Sequence, residues 1–210
     1  LCTEALRLAR LLLELKPDET EVMGLLALML LLEARTPSRF DGEGALIELE
    51  RQDRGLWDRD KISEGVRLLE RALPRRSLGS YQIQAAIAAV HAEAESAEST
   101  DHEQIALLYD LLSSIDGSEL VALNRVIAWS MVLGPEAGLR LLEQLESESK
   151  TAIEEQALLT RADLYRRLGR KEDARRAFER ARVITTNELT RRFIDHRLRE
   201  RHPGESRDPQ

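Results

Sequence analysis

The stretch Leu158-Leu159-Thr160-Arg161-Ala162-Asp163-Leu164-Tyr165-Arg166-Arg167-Leu168-Gly169-Arg170-Lys171-Glu172-Asp173-Ala174-Arg175-Arg176-Ala177-Phe178-Glu179-Arg180-Ala181 decides the fold. Leu158, Ala162, Tyr165 and Leu168 recur at three- and four-residue steps, which places them on one face of a helix. Gly169 follows and can take the left-handed conformation that closes a helix. Ala174, Phe178 and Ala181 then mark a face of a second helix. Two helices joined by so short a turn run antiparallel.

The same pattern extends outward. Helices are expected at about 1–16, 19–35, 60–73, 80–95, 102–115, 119–133, 136–148, 152–168, 171–184 and 188–200. Pro17 ends the first, because proline lacks an N–H and disfavours α geometry in the residue before it. Asp18 and Ser80 are expected N-caps, and Thr100 with Glu103 has the spacing of a capping box. Gly134-Pro135 puts glycine just past one helix and proline at the start of the next. Leu25, Leu26, Leu28, Met29, Leu31 and Leu32 make the second helix apolar nearly all round, so it should be buried on several sides.

Hairpins begin near residues 80, 119 and 153, a spacing of roughly 34–39 residues that resembles tetratricopeptide (TPR) repeats. Residues 155–186 carry the resemblance most fully. It implies that small residues bring the two helices close and that Tyr165 and Phe178 fill the space between them. Thr186 stands where that pattern often has proline. Ala86 and Ala89, and Leu139 and Leu142, mark weaker copies. The final helix, with Leu189, Phe193, Ile194 and Leu198 apolar and the rest charged, would cap the stack with a polar outer face. The expected fold is all-α: antiparallel helix hairpins stacked as a TPR-like right-handed solenoid over residues 1–201, with 202–210 a disordered tail.

One long loop near residues 36–59 interrupts this order, with Pro37, Gly42, Gly44 and Gly55 inside it. Loops of this length are often functional. A short extended piece is expected at 45–49. Trp57 sits among charges of both signs in Gln52-Asp53-Arg54-Gly55-Leu56-Trp57-Asp58. It either pins the loop onto the helices or serves as a partner-binding hot spot.

Composition narrows the function. Leu and Ala supply 60 of 210 residues while Gly (11) and Pro (6) are few, which favours helix and argues against a sandwich or barrel. One cysteine allows neither a disulfide framework nor a Cys-based zinc site, and fits a reducing compartment. The longest apolar run, Val22 to Leu32, is too short to span a bilayer. Residues 1–160 carry 16 basic and 29 acidic groups, net −13, whereas 161–201 carry 14 and 7, net +7. A basic end can face nucleic acid or an acidic protein. It can equally be a solvated face balanced by pairs such as Arg170/Asp173, Glu172/Arg176 and Arg175/Glu179.

Chemistry-bearing motifs are missing from the sequence. No two of His91, His102, His196 and His202 stand at i,i+4. Walker A, GxGxxG and GxSxG patterns are absent. No catalytic residue, cofactor, metal or small-molecule substrate is therefore expected, and the chain is not expected to be an enzyme.

Several stretches together resemble a known family. They include Pro17-Asp18-Glu19-Thr20-Glu21-Val22-Met23-Gly24-Leu25-Leu26-Ala27-Leu28-Met29, Gln52-Asp53-Arg54-Gly55-Leu56-Trp57-Asp58, Tyr81-Gln82-Ile83-Gln84-Ala85-Ala86-Ile87-Ala88-Ala89-Val90-His91-Ala92, Leu123-Asn124-Arg125 and Arg161-Ala162-Asp163-Leu164-Tyr165. In order and spacing they resemble the C-terminal TPR-like extension of bacterial extracytoplasmic-function (ECF, sigma-24-like) RNA polymerase sigma factors, over about residues 1–200. Arg51 and His102 depart from residues usual in that group. The resemblance implies a cytoplasmic, regulatory domain acting in transcription initiation. Its partners would be RNA polymerase and the sigma domains expected before Leu1. Promoter DNA would be reached only through those domains, and no membrane is involved. The loop residues Asp53, Arg54, Trp57 and Asp58 would dock onto the partner. Deleting residues 41–59 is then expected to change promoter-dependent transcription and leave the fold intact. The alternative is a stand-alone TPR scaffold binding an unrelated peptide or protein in a helix-pair groove near Tyr81, Gln84, Asn124 and Arg125.

Overall fold

The computed structural model describes residues 2–42, 44–75, 78–148 and 153–199. Among them are ten α-helices: α1 (Cys2–Leu15), α2 (Thr20–Ala34), α3 (Arg59–Ala72), α4 (Ser80–Glu93), α5 (His102–Ile115), α6 (Glu119–Leu133), α7 (Pro135–Glu148), α8 (Glu154–Arg167), α9 (Lys171–Ile184) and α10 (Glu188–Arg199). The only β pairing among these residues is one antiparallel bridge, Phe40 to Leu46. The extended piece expected at 45–49 reduces to that bridge and a 3-10 turn at Leu49–Arg51. The tail at 202–210 lies outside the described residues.

Ion pairs join three pairs of successive helices. Asp110 of α5 meets Arg125 of α6, Glu146 of α7 meets Arg161 of α8, and Arg182 of α9 meets Asp195 of α10. The apolar core follows the chain as four successive clusters. The first joins α1 to α4, the second α4 to α6, the third α6 to α8 and the fourth α8 to α10. This helical-repeat-like order, in which each unit buries its apolar face on the next, is how repeat scaffolds gain stability.

Helix α2 is the hub of the first cluster, packed by α1, α3 and α4. Its all-round apolar character is thereby accounted for. At its crossing with α4, a Cβ on Gly24 would stand 2.6 Å from the Gln82 amide nitrogen. The two backbones meet there because Gly24 has no side chain. Gly138 serves α6 and α7 in the same way, since its Cβ would lie 2.5 Å from that of Ser130.

Helix ends fall within two residues of the expected ones, but the capping groups differ. Asp101, not Thr100, caps α5, accepting from the Gln104 amide at 2.9 Å. Thr100 is buried and instead takes a hydrogen bond from Arg54. Ser80 is the first residue of α4, not its cap. The carboxylate of Glu21 on α2 accepts from the Tyr81 and Gln82 amides at 3.0 and 3.1 Å, a negative group at a helix N-terminus supplied across the core. Asp18 does not cap α2 but pairs with Arg75. Gly134 and Gly169 do end their helices, at φ 88° and 71°.

The loop between α2 and α3 is built into the core. Trp57 is only 3% exposed and belongs to the first apolar cluster. The expectation that residues 41–59 can be removed without harm to the fold is therefore corrected. Their deletion would open that cluster. At the far end, Arg197 of α10 is buried and pairs with Glu48, so the same loop also meets the last helix.

Candidate functional site

The loop residues expected to meet a partner divide into two kinds. Arg54 and Trp57 turn inward. Arg54 donates to the backbone oxygens of His91 and Ala94 at 2.5 and 2.8 Å and to Thr100 Oγ1 at 3.2 Å. Its guanidinium thus satisfies carbonyls at the negative end of α4 and fixes the α4–α5 connection. It also stacks over the Trp57 ring at 4.8 Å, and Trp57 Nε1 donates to Ser38 Oγ at 2.8 Å. Of the two readings of Trp57, the structure places it as the residue that pins the loop. Asp53 and Asp58 remain reachable by solvent, yet both serve local structure. Asp53 accepts from the Gly55 amide, and Asp58 caps α3 and binds Lys61 at 2.7 Å. A docking surface made of these four side chains together is not present.

The residues of the second expected groove lie on two helices and are engaged locally. Tyr81 is 44% exposed at the start of α4, and Gln84 donates to Ser80 Oγ. Asn124 is half-buried on α6, and Arg125 is held by Asp110, which also accepts from Trp129 Nε1 at 3.0 Å. None of these four residues lines the groove described next.

The structure opens a different groove, of about 630 Å³, across α3, α4 and α5. Its floor is the α4 face with Ile83, Ala86, Ala89 and Val90. One wall is the α3 face with Val66, Leu69 and Glu70, continued by Leu73 just past its end, and the other is the α5 face with Gln104, Leu108 and Leu111. Each set recurs at helical spacing, so three helix faces converge on one trough. Leu73 (64%), Leu78 (53%) and Leu111 (38%) stay exposed along it. Among the described residues, the charged ones lining it are Glu70, Glu93 and Asp101, all acidic. Sequence reading picked out Ala86 and Ala89 as repeat positions but not as a floor. The signal it passed over is Leu69 on α3 and Leu73 just past its end, apolar residues that line the trough.

Among the described residues one histidine, His91 on α4, is held far from its ordinary pKa. Burial holds the His91 imidazole pKa down to about 4, helped by the positive charges of Arg35, His102 and Arg54. The His91 and His102 rings meet edge to face with centroids 6.5 Å apart. Folded protein keeps His91 neutral, whereas the unfolded chain protonates it below about pH 6.5. Acid therefore favours unfolding. Between pH 7 and 4.5 this residue should cost roughly 2–3 kcal/mol of stability. Urea unfolding at the two pH values checks it, and the His91→Gln protein should lose that part of the slope. Among the described residues no cluster of three His, Cys, Asp or Glu could hold a metal ion.

The basic end forms local ion pairs, although not all the expected ones. Arg170 and Arg176 both bind Asp173, and Arg175 binds Glu172 and Glu179. The Glu172/Arg176 pair is replaced by this arrangement. Among the described residues no helix is long and apolar enough to cross a membrane.

Comparison with known proteins adds three findings. Residues 1–73, from α1 to the end of α3, match a family of unknown function, DUF6596. An uncharacterized protein of Rhizobium meliloti (strain 1021) is 46% identical over 198 residues, which cover 94% of this chain and 46% of the relative. The chain thus spans about half the length of that relative. No solved structure matches the chain.

Proposed function

We propose that this chain is a regulatory, partner-binding domain of a bacterial ECF-type RNA polymerase sigma factor, acting in transcription initiation through protein–protein contacts. The carrying observation is the open apolar trough where the faces of α3, α4 and α5 converge. A contiguous exposed apolar surface rimmed by polar groups marks an interaction site. The order of sequence stretches supplies the sigma-factor class by resemblance. That more than half of the Rhizobium relative lies outside the match is consistent with a domain joined to others. In this reading the loop at 36–58 is a brace for the scaffold, and the groove makes the contact with sigma domains or polymerase.

The test uses the intact product of the gene. Its mass and N-terminal sequence are determined first, and it is then assayed with core RNA polymerase for promoter-dependent transcription. The expected result is polymerase binding, with transcription altered several-fold by Leu111→Glu in the groove wall. A product that binds no polymerase would overturn the reading and leave the stand-alone TPR scaffold as the better account.

A further inference from the structure

The trough has features that select one class of occupant. Its floor runs along α4 from Gln82 to Glu93, three turns or about 17 Å at 1.5 Å per residue. Ala86 and Ala89 keep that floor low, so a helix backbone can approach closely. The walls are helix faces whose backbone groups are already bonded within α3 and α5. They offer no strand edge, so an occupant must satisfy its own backbone, which a helix does. At the rim, neither Glu70 nor Glu93 has a cationic partner among the described residues, and none of the described residues lining the cavity is basic.

We infer that the α3–α4–α5 groove seats a basic amphipathic helix of a partner, three turns long, with its apolar stripe on Ala86 and Ala89 and Lys or Arg against Glu70, Glu93 and Asp101. The inserted helix completes a four-helix cluster. Carboxylates on both sides of the trough set its preference for positive charge. This inference rests on the groove being the chain's interaction site, and it names the chemistry of the partner.

The probe is a labelled 14-residue helical peptide with leucines at i, i+3, i+4 and i+7 and lysines on both flanks. Its twin carries glutamate for every lysine. Binding to the 210-residue chain is followed by fluorescence anisotropy. The lysine peptide should bind about tenfold or more tighter than the twin at low salt. The double variant Glu70→Lys, Glu93→Lys should reverse that order. Ala86→Trp, which fills the floor, should abolish binding. Leu111→Glu, at an exposed position on α5, does the same if Ala86→Trp fails to fold by circular dichroism.

Equal affinity for both peptides overturns the inference, as does binding that ignores the charge reversal. A concentration-dependent dimer lost on filling the groove also overturns it, in favour of a second copy. The α1 stripe Leu8, Leu11, Leu12 and Leu15 would then be the seated helix. Transcription by the intact product separates the two proposals. If the lysine peptide is preferred but Leu111→Glu leaves transcription unchanged, the sigma-factor reading falls and the groove assignment stands. If Leu111→Glu alters transcription but the peptides are not distinguished, the groove assignment falls alone.

Discussion

Replacing Trp57 by alanine is expected to cost about 3–5 kcal/mol, the usual range for removing a large buried aromatic. The indole lies in the first apolar cluster, donates to Ser38 Oγ and carries the Arg54 guanidinium on its face. Its loss empties a cavity, leaves the Ser38 hydroxyl without its donor and loosens Arg54 from the end of α4. Against a typical domain stability of about 5–15 kcal/mol, that is a large fraction. Urea denaturation followed by circular dichroism measures it. Trp57→Phe keeps most of the volume and should cost less, about 1–3 kcal/mol, mainly for the lost hydrogen bond. A loss below about 1 kcal/mol for Trp57→Ala would mean that the ring is not part of the core.

Phe178→Ala should have a similar effect at the other end, also about 3–5 kcal/mol. Phe178 is buried between α8 and α9 with Leu158, Ala162, Ala181 and Ile194. The consequences should stay local, because each unit of a repeat scaffold leans mainly on its neighbours. Amide exchange should quicken in α8 to α10 while α2 and α4 remain protected. A loss well under 1 kcal/mol would mean that the hairpin register is misassigned.

Both experiments concern large aromatic residues, but the sequence settles the burial of Phe178 alone and leaves Trp57 open between pinning the loop and meeting a partner. Phe178 sits in a regular helix, where its three- and four-residue relations to Ala174 and Ala181 define a face. Its burial follows from local periodicity. Trp57 sits in a loop with no period to orient it, among charges that read as solvent-facing. The buried cation beside it could not be inferred, because the acceptors of Arg54 are backbone oxygens some 40 residues away on α4. Sequence patterns carry no record of which helix end a distant guanidinium will satisfy. Glu21 illustrates the same point: it serves the N-terminus of α4 from α2, across the core, where sequence reading expected the neighbouring Ser80.

The groove was missed for a related reason. Leu69, Leu73 and Leu111 look like ordinary core leucines on amphipathic helices. Whether such a face is covered depends on how α3 and α5 splay on either side of α4, and that is fixed by packing elsewhere. The glycine contact of Gly24 with Gln82 draws α2 and α4 together.

By itself, then, the sequence determined the helical class, the positions of the helices and the hairpin order. Those features depend on relations spanning a few residues: the 3.6-residue period, proline and glycine at the ends, and short connections. The tertiary structure alone decided that the loop is a brace, that Arg54 and Trp57 are buried, and that a trough with an acidic rim stays open. Those features depend on contacts between residues tens of positions apart, where burial and hydrogen-bond satisfaction outweigh any local preference.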